Sequence, residues 1–243
     1  MGTVELAVVY DNYAAKEGLQ TAHGFACVVR ENHRTVLFDT GGSGQILLEN
    51  MERLGIALRE IEAVVLSHMH WDHIGGLDAV LAANPEVTVY VPIAFSSSFH
   101  RDVTKRARSV VETKMAQPVT NRVWTTDVLE GLLAEQALYV ETAEGIVVVT
   151  GCAHPGVVEL TRSAQRASGL PVHTVLGGFH MARMDRTEIG RVIEGLKELR
   201  VQHVGPSHCS GDAAKDAMAE AFGRGYLDIG VGTRLSFPAA ESE

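Results

Sequence analysis

Cysteine is scarce in this chain of 243 residues: Cys27, Cys152 and Cys209 are an odd number at unrelated spacings, which excludes a disulfide framework and fits reduced thiols. Positive charge is also short. The formal charge of -9, from 21 Lys and Arg against 30 Asp and Glu, disfavours non-specific binding to nucleic acid. Long hydrophobic runs are missing; Gly145-Ile146-Val147-Val148-Val149 has the length of a strand, far below the roughly 20 residues that span a bilayer. The opening Met1-Gly2-Thr3-Val4-Glu5 has neither the basic start nor the apolar stretch of a secretion signal, so a cytoplasmic protein without a membrane partner is expected. What remains is the profile of a globular enzyme: 46% hydrophobic residues, 24 glycines and no low-complexity segment, read as a single domain over residues 1–243.

Strands are expected at Leu6 to Tyr10, Gly24 to Val29 and Thr35 to Phe38, where short β-branched or apolar runs are separated by polar or glycine-containing stretches. Cys27 falls in the second of these as a small core residue. Ile46, Leu47, Met51 and Leu54 follow a helical spacing that stops at Gly55, and Ala63 to Leu66 is the next strand. Gly76 to Ala83 reads as helix, Val87 to Val91 as strand, and His100 to Lys114 as a basic helix or an irregular excursion. A hairpin turned at Glu144-Gly145 joins Leu138 to Glu141 with Ile146 to Thr150. Helices at Val157 to Ala167, Arg186 to Leu199 and Ala213 to Phe222 then alternate with strands at Val172 to Leu176, Val201 to Val204 and Ile229 to Leu235.

The densest chemistry is Ser67-His68-Met69-His70-Trp71-Asp72-His73-Ile74-Gly75-Gly76, directly after the apolar Ala63-Val64-Val65-Leu66. A strand ending in a tight loop aims His68 and His70 at one cation while Asp72 and His73 turn toward a second. A solvent-facing loop without a role is the plain alternative, but ionisable groups crowded at the end of a buried strand are costly without a ligand. The pattern of an apolar run followed closely by histidine recurs at His154, His180 and His208. In sheets flanked by helices, loops at strand ends share one rim, so these distant histidines can converge.

The run His68-x-His70-x-Asp72-His73, with Asp39-Thr40-Gly41 before it, resembles the signature of the metallo-β-lactamase superfamily. That resemblance implies an α/β fold, an αβ/βα four-layer sandwich of two mixed β-sheets packed face to face with helices outside. It also implies two divalent cations, zinc first and manganese or iron as alternatives, the first held by His68, His70 and His154, the second by Asp72, His73 and His208. Asp11-Asn12, His23-Gly24-Phe25, Gly151-Cys152-Ala153-His154-Pro155-Gly156, Gly177-Gly178-Phe179-His180 and His208-Cys209-Ser210-Gly211 resemble the branch that includes dihydropterin ribofuranosylaminobenzene phosphate synthase. Members of that branch are implied to release pyrophosphate in a metal-dependent step.

Many dinuclear relatives carry a bridging aspartate after a central strand; here Gly177-Gly178-Phe179-His180 follows Val172 to Leu176. His180 is therefore expected to bind one cation terminally or to act on the substrate, with Asp72 as the other catalytic residue. Asp39 is an acceptor orienting a ligand loop or a turn residue before Gly41-Gly42.

Cations held by neutral imidazoles lower the pKa of bound water from about 15.7 toward roughly 7, which supplies hydroxide for attack on phosphorus or carbonyl carbon. Residues near 92–125 form a variable segment for substrate recognition. If helical, Arg101, Lys105 and Arg108 share one face as a phosphate clamp, against the plainer reading of a solvated basic face; His23 is expected at the site mouth from the resemblance. The preferred expectation is an enzyme acting on a small phosphoester or diphosphate, pterin-related in this branch. A thioester or lactone hydrolase uses the same hydroxide. A non-catalytic metal-binding regulator is the reading from another class, and a diiron redox protein would favour a carboxylate where His70 stands. Oligomeric state is left open.

Overall fold

The computed structural model describes residues 2–240. Strands β1 (Thr3–Tyr10), β2 (Ala26–Glu31) and β3 (Arg34–Phe38) pair antiparallel, and β4 (Ala63–Val65), β5 (Thr88–Pro92) and β6 (Ser109–Thr113) add in parallel beside β3. The last strand, β13 (Arg234–Pro238), closes this sheet against β1, in the order β13-β1-β2-β3-β4-β5-β6. The second sheet contains β7 (Gln117–Pro118), β8 (Val123–Thr125), β9 (Leu138–Thr142), β10 (Gly145–Thr150), β11 (Val172–Gly178) and β12 (His203–Ser207), ordered β12-β11-β10-β9-β8-β7. Strands β10, β11 and β12 are mutually parallel, whereas β7 to β10 run antiparallel. Both sheets are mixed.

Three apolar clusters stack through the molecule and define four layers. Helices α1 (Gly44–Arg53), α3 (Leu77–Ala83) and α4 (Ser97–Thr104) cover the outer face of the first sheet through Leu47, Met51, Leu77, Val80 and Val103. Between the sheets, Val8, Cys27, Phe38 and Val65 meet Leu138, Val147, Val149 and Leu176. Helices α5 (Val157–Ser168), α6 (Arg186–Glu198) and α7 (Asp212–Phe222) cover the second sheet's outer face. Since β10 is buried along its whole length, it needs apolar residues on both faces, which explains the continuous Ile146-Val147-Val148-Val149. Each such side chain is worth about 1.5–3 kcal/mol of burial. The helices meet this demand with one apolar stripe each: Val157, Leu160, Thr161 and Ala164 on α5, and Ile189, Ile193 and Leu196 on α6. An Asp185–Glu188 capping box starts α6, and Gly169, at φ 68°, ends α5.

Several boundaries differ from the sequence reading, three of them by enough to change where residues sit. His100 to Lys114 is neither one helix nor irregular: α4 ends at Thr104 and β6 begins at Ser109, so this part of the variable segment is edge structure of the first sheet. The final strand is Arg234–Pro238 rather than Ile229 to Leu235. Ile229 and Val231 are buried, but Gly230 packs against the Tyr13 carbonyl and Gly232 adopts φ 96°, so this stretch bends instead of pairing regularly. The strand expected at Val201 to Val204 begins only at His203. Among the described residues, no helix is long and apolar enough to cross a membrane.

Candidate metal centre

Parallel pairing decides where the chemistry sits. Because β3, β4, β5 and β6 share one direction, as do β10, β11 and β12, their C-terminal ends open on common rims. His68 follows β4, His154 follows β10, His180 follows β11 and His208 follows β12. The turns are tight enough to force left-handed backbone at Asp39, Ala153, His180 and His208, with φ 56°, 60°, 53° and 50°. Such residues each cost about 1–3 kcal/mol and persist where surrounding contacts over-determine them. Gly151 shows how close the approach is: a Cβ there would lie 2.2 Å from Ser67 Oγ and 3.0 Å from Asp39 Oδ2.

Two sets of donors face each other across this rim. In the first, His68 Nε2 lies 3.1 Å from His70 Nδ1, and the His154 ring centroid lies 4.6 Å from that of His68 and 4.9 Å from that of His70. All three donor atoms fall within 4.8 Å of one another. In the second, Asp72 Oδ2 lies 3.5 Å from His73 Nε2 and 3.3 Å from His208 Nε2, and the two imidazole nitrogens are 3.2 Å apart. Cys152 Sγ joins this set, 3.2 Å from His73 Nε2 and 3.3 Å from His208 Nε2. The structure thus brings together the six expected ligands His68, His70, Asp72, His73, His154 and His208.

Buried partners behind the imidazoles fix which nitrogen faces inward. The Asp39 carboxylate accepts from Ser67 N at 2.7 Å, Ser67 Oγ at 2.6 Å and His73 Nδ1 at 2.7 Å, which leaves His73 Nε2 without a proton. Ser67 Oγ, having donated its proton, accepts from His68 Nδ1 at 2.8 Å. Glu135 Oε2 accepts from His154 Nδ1 at 2.8 Å, and the same carboxylate takes the backbone N–H groups of Cys152, Ala153 and His154 at 2.9 Å each. Asn12 Oδ1 accepts from Gly24 N at 3.1 Å and from His208 Nδ1 at 2.9 Å. Every one of these histidines is held as a metal-ready donor by its far nitrogen.

Electrostatics keep His68 and His73 unprotonated and Asp72 charged. Burial, then the neighbouring His73, drives His68 down to about 3, and burial, then His208, does the same to His73, so both are neutral bases. Burial would raise Asp72, but its bond to His208 and the nearby imidazoles hold it below the usual carboxylate range. Burial would lower His208, yet its bond to Asp72, together with Cys209 and Asp11 nearby, raises it above the ordinary imidazole value. A proton on His208 satisfies one neighbour only; a divalent cation satisfies all the inward donors together. The residues fit the metal that the fold implies.

One contributor was invisible in the sequence: Glu135 lies in a loop without periodicity, and only the folded geometry shows that it aims His154. Asp11-Asn12 was singled out as a motif, and the geometry adds that Asn12 aims His208. Asp11 is fully buried and supports Asn12's loop through bonds to the Tyr13 N–H, at 3.0 Å, and to Ser207 Oγ. The donor atom of His180 groups with Cys152 and Cys209 and belongs to neither of the two main sets. The His180 ring is 4.5 Å from that of His154, beside the first set.

His23 does reach the mouth, with Nε2 3.2 Å from Asp72 Oδ2 and its ring 5.8 Å from Trp71. The Arg101, Lys105 and Arg108 clamp does not form. Lys105 caps α4, and Arg108 stands beside the first residue of β6, lining a cavity of about 430 Å³ with Ala63 and Thr88 at the N-terminal ends of β4 and β5. That is the rim opposite the histidines. Arg106, between Lys105 and Arg108 in the chain, is bound to Asp78 and Asp102 at 2.6 Å each. Cys209 beside His180 raises its pKa above the ordinary imidazole value despite burial, and Arg183, exposed three residues further on, is a basic group near enough to oppose that rise slightly. Apolar side chains gather there as well. The large apolar residues exposed among the described residues are Met69, Trp71, Ile93, Met115 and Leu132. Met69 and Trp71 alternate with ligands, Ile93 and Met115 follow the C-terminal ends of β5 and β6, and Leu132 follows Gly131, which packs on Pro155 and His154.

Residues 21–160, more than half of the chain, match the Metallo-beta-lactamase superfamily. A 7,8-dihydropterin-6-methyl-4-(beta-D-ribofuranosyl)-aminobenzene-5'-phosphate synthase from Methanocaldococcus jannaschii is 26% identical over 279 residues, covering 96% of this chain and 95% of that protein. A crystallised metal-dependent hydrolase of the beta-lactamase superfamily is 26% identical and superposes with a TM-score of 0.81, covering 96% of this chain and 98% of its own. A diphosphatase from the PhnP family, 18% identical, shares the fold at a TM-score of 0.64 over 97% of each chain.

Proposed function

The chain belongs to the metallo-beta-lactamase superfamily, and on that premise we propose that it is a metal-dependent enzyme for a small phosphoester or diphosphate substrate carrying a flat ring. The observation that carries this reading is the convergence of His68, His70 and His154 opposite Asp72, His73 and His208, with each buried imidazole pinned from behind. Cations in these positions supply an acidified water and a Lewis acid for a phosphoryl oxygen. The protein's own residues do the rest. Asp39, Glu135 and Asn12 orient the imidazoles, and Arg183 offers a charge to the anionic part of the substrate beside His180.

The apolar rim supports a substrate that is more than phosphate. Trp71, 63% exposed, and His23 form a tilted ring pair at the pocket mouth, on which a planar heterocycle can stack. Similarity to the archaeal synthase across 96% of the chain makes a pterin the preferred ring and release of pyrophosphate the preferred transfer chemistry. Phosphoester hydrolysis needs the same groups with water as acceptor. Hydrolysis of a thioester or lactone is favoured by one observation, the position of Arg108 on the rim opposite the histidines. We assign the reaction to the cytoplasm, with a small molecule as partner.

A panel of phosphodiesters, diphosphates, pterin diphosphates, lactones and thioesters, run on protein reconstituted separately with zinc, manganese and iron, tests the reading. Turnover of the phosphorus substrates is expected. Turnover of carbon esters alone would replace it with the thioester or lactone reading, and metal binding without any turnover would favour the regulator.

A further inference from the structure

The two donor sets differ in number and in charge. His68, His70 and His154 offer three neutral nitrogens, and His70 is open to solvent. Asp72, His73, Cys152 and His208 offer four donors, all from buried residues. Five of the six separations among these four atoms run from 3.2 to 3.5 Å: Asp72–His73, Asp72–His208, His73–His208, Cys152–His73 and Cys152–His208. A tetrahedron with edges of that length places its centre about 2.0 Å from each corner, the bond length of a zinc ion to nitrogen or oxygen and slightly under that to sulfur.

We propose that Cys152 is the fourth ligand of the second cation, making Asp72–His73–Cys152–His208 a closed tetrahedral site and leaving the His68–His70–His154 cation as the sole one with a position for the reacting water. The inference rests on the metal-dependent reading above and deepens it. Binding converts the Cys152 thiol to a thiolate: the S–H bond breaks, a sulfur–metal bond forms and one proton passes to solvent. Two anionic ligands then neutralise a divalent cation in the closed site, whereas three neutral imidazoles leave the full double charge at the other. The open site is therefore where a bound water is most acidified.

The closed site holds its ion through one thiolate, one carboxylate and two imidazoles pinned by Asp39 and Asn12, so it also binds more tightly and prefers a thiophilic metal. The neighbouring Cys209 Sγ contacts the Cys152 carbonyl at 3.6 Å and forms a separate group with His180 that shares Cys152 with this tetrahedron, which is why the two cysteines are tested separately below.

Cobalt(II) titration of chelator-stripped, reduced protein separates the outcomes. The first equivalent is expected to give an intense thiolate-to-cobalt charge-transfer band with tetrahedral ligand-field bands and to release a proton. The second equivalent should add ligand-field intensity without more charge transfer, and inorganic phosphate should perturb only that second signal. Cys152→Ser should abolish the charge-transfer band while keeping a folded protein by circular dichroism; Cys209→Ala should keep the band. Two bound cobalt ions in the unmodified protein with no charge-transfer band, or a band lost in Cys209→Ala and retained in Cys152→Ser, overturns the proposal while the metal-dependent reading stands. Failure to bind cobalt at all overturns both.

Discussion

The two rims of one sandwich handle their ionisable groups in opposite ways. At the rim formed by the N-terminal ends of β4 and β5, charges answer one another: Arg34 meets Glu62 at 2.8 Å, Arg30 meets Glu60 at 2.8 Å, and the buried Arg122 meets Glu31 at 2.9 Å. At the other rim, donors face donors, as His73 Nε2 and His208 Nε2 do at 3.2 Å, and His208, like the neighbouring Asp39, Ala153 and His180, adopts a left-handed backbone. The pairs of the first rim need no ligand. The second carries unspent electrostatics and backbone strain, which is the mark of a site that a cation must finish.

The contrast is broken most severely by removing an inward donor. His70→Ala should lower kcat/KM by at least about a thousandfold, since a metal contributes several kcal/mol of charge stabilisation, and bound metal measured by plasma emission should fall with it. Undiminished turnover would erase the distinction between the rims. Glu135→Gln leaves every ligand in place but loosens the His154 turn; a fall of about 10- to 100-fold in metal affinity or activity is expected, read by chelator competition and initial rates.

These two variants also divide what the sequence could reveal. His70 belongs to a run whose residues are neighbours in the chain, so a strand pattern followed by His-x-His-x-Asp-His exposes it directly. His154 and His208 could be found because each follows a strand, and the shared direction of those strands brings their ends together. Glu135 has no such local sign: it is a loop residue whose three backbone contacts and imidazole contact exist only after β9 and β10 have paired. Most strands and helices were legible from apolar periodicity, whereas the end of α4 was not. A spacing of i, i+4 and i+7 aligned Arg101, Lys105 and Arg108 on paper, but helix periodicity contains no stop signal, and the chain turns into β6 after Lys105.

Smaller effects sharpen the comparison. Trp71→Ala should raise KM about 3- to 10-fold with kcat little changed, the worth of one ring contact, in steady-state assays of a ring-bearing substrate. An equal loss with a ringless phosphodiester would show that Trp71 supports the loop instead. The smallest effect is expected at the opposite side: Arg108→Ala should leave kcat/KM within about twofold and stability to urea within about 0.5 kcal/mol. A large loss in KM would restore the phosphate clamp to the reaction.

Anomalous diffraction from crystals of the full chain grown with zinc tests the central claim most directly. Two anomalous peaks about 3.5–4 Å apart are predicted, one bounded by His68, His70 and His154 and the other by Asp72, His73 and His208. Peaks elsewhere, or none among those imidazoles in crystals that contain zinc, would contradict it.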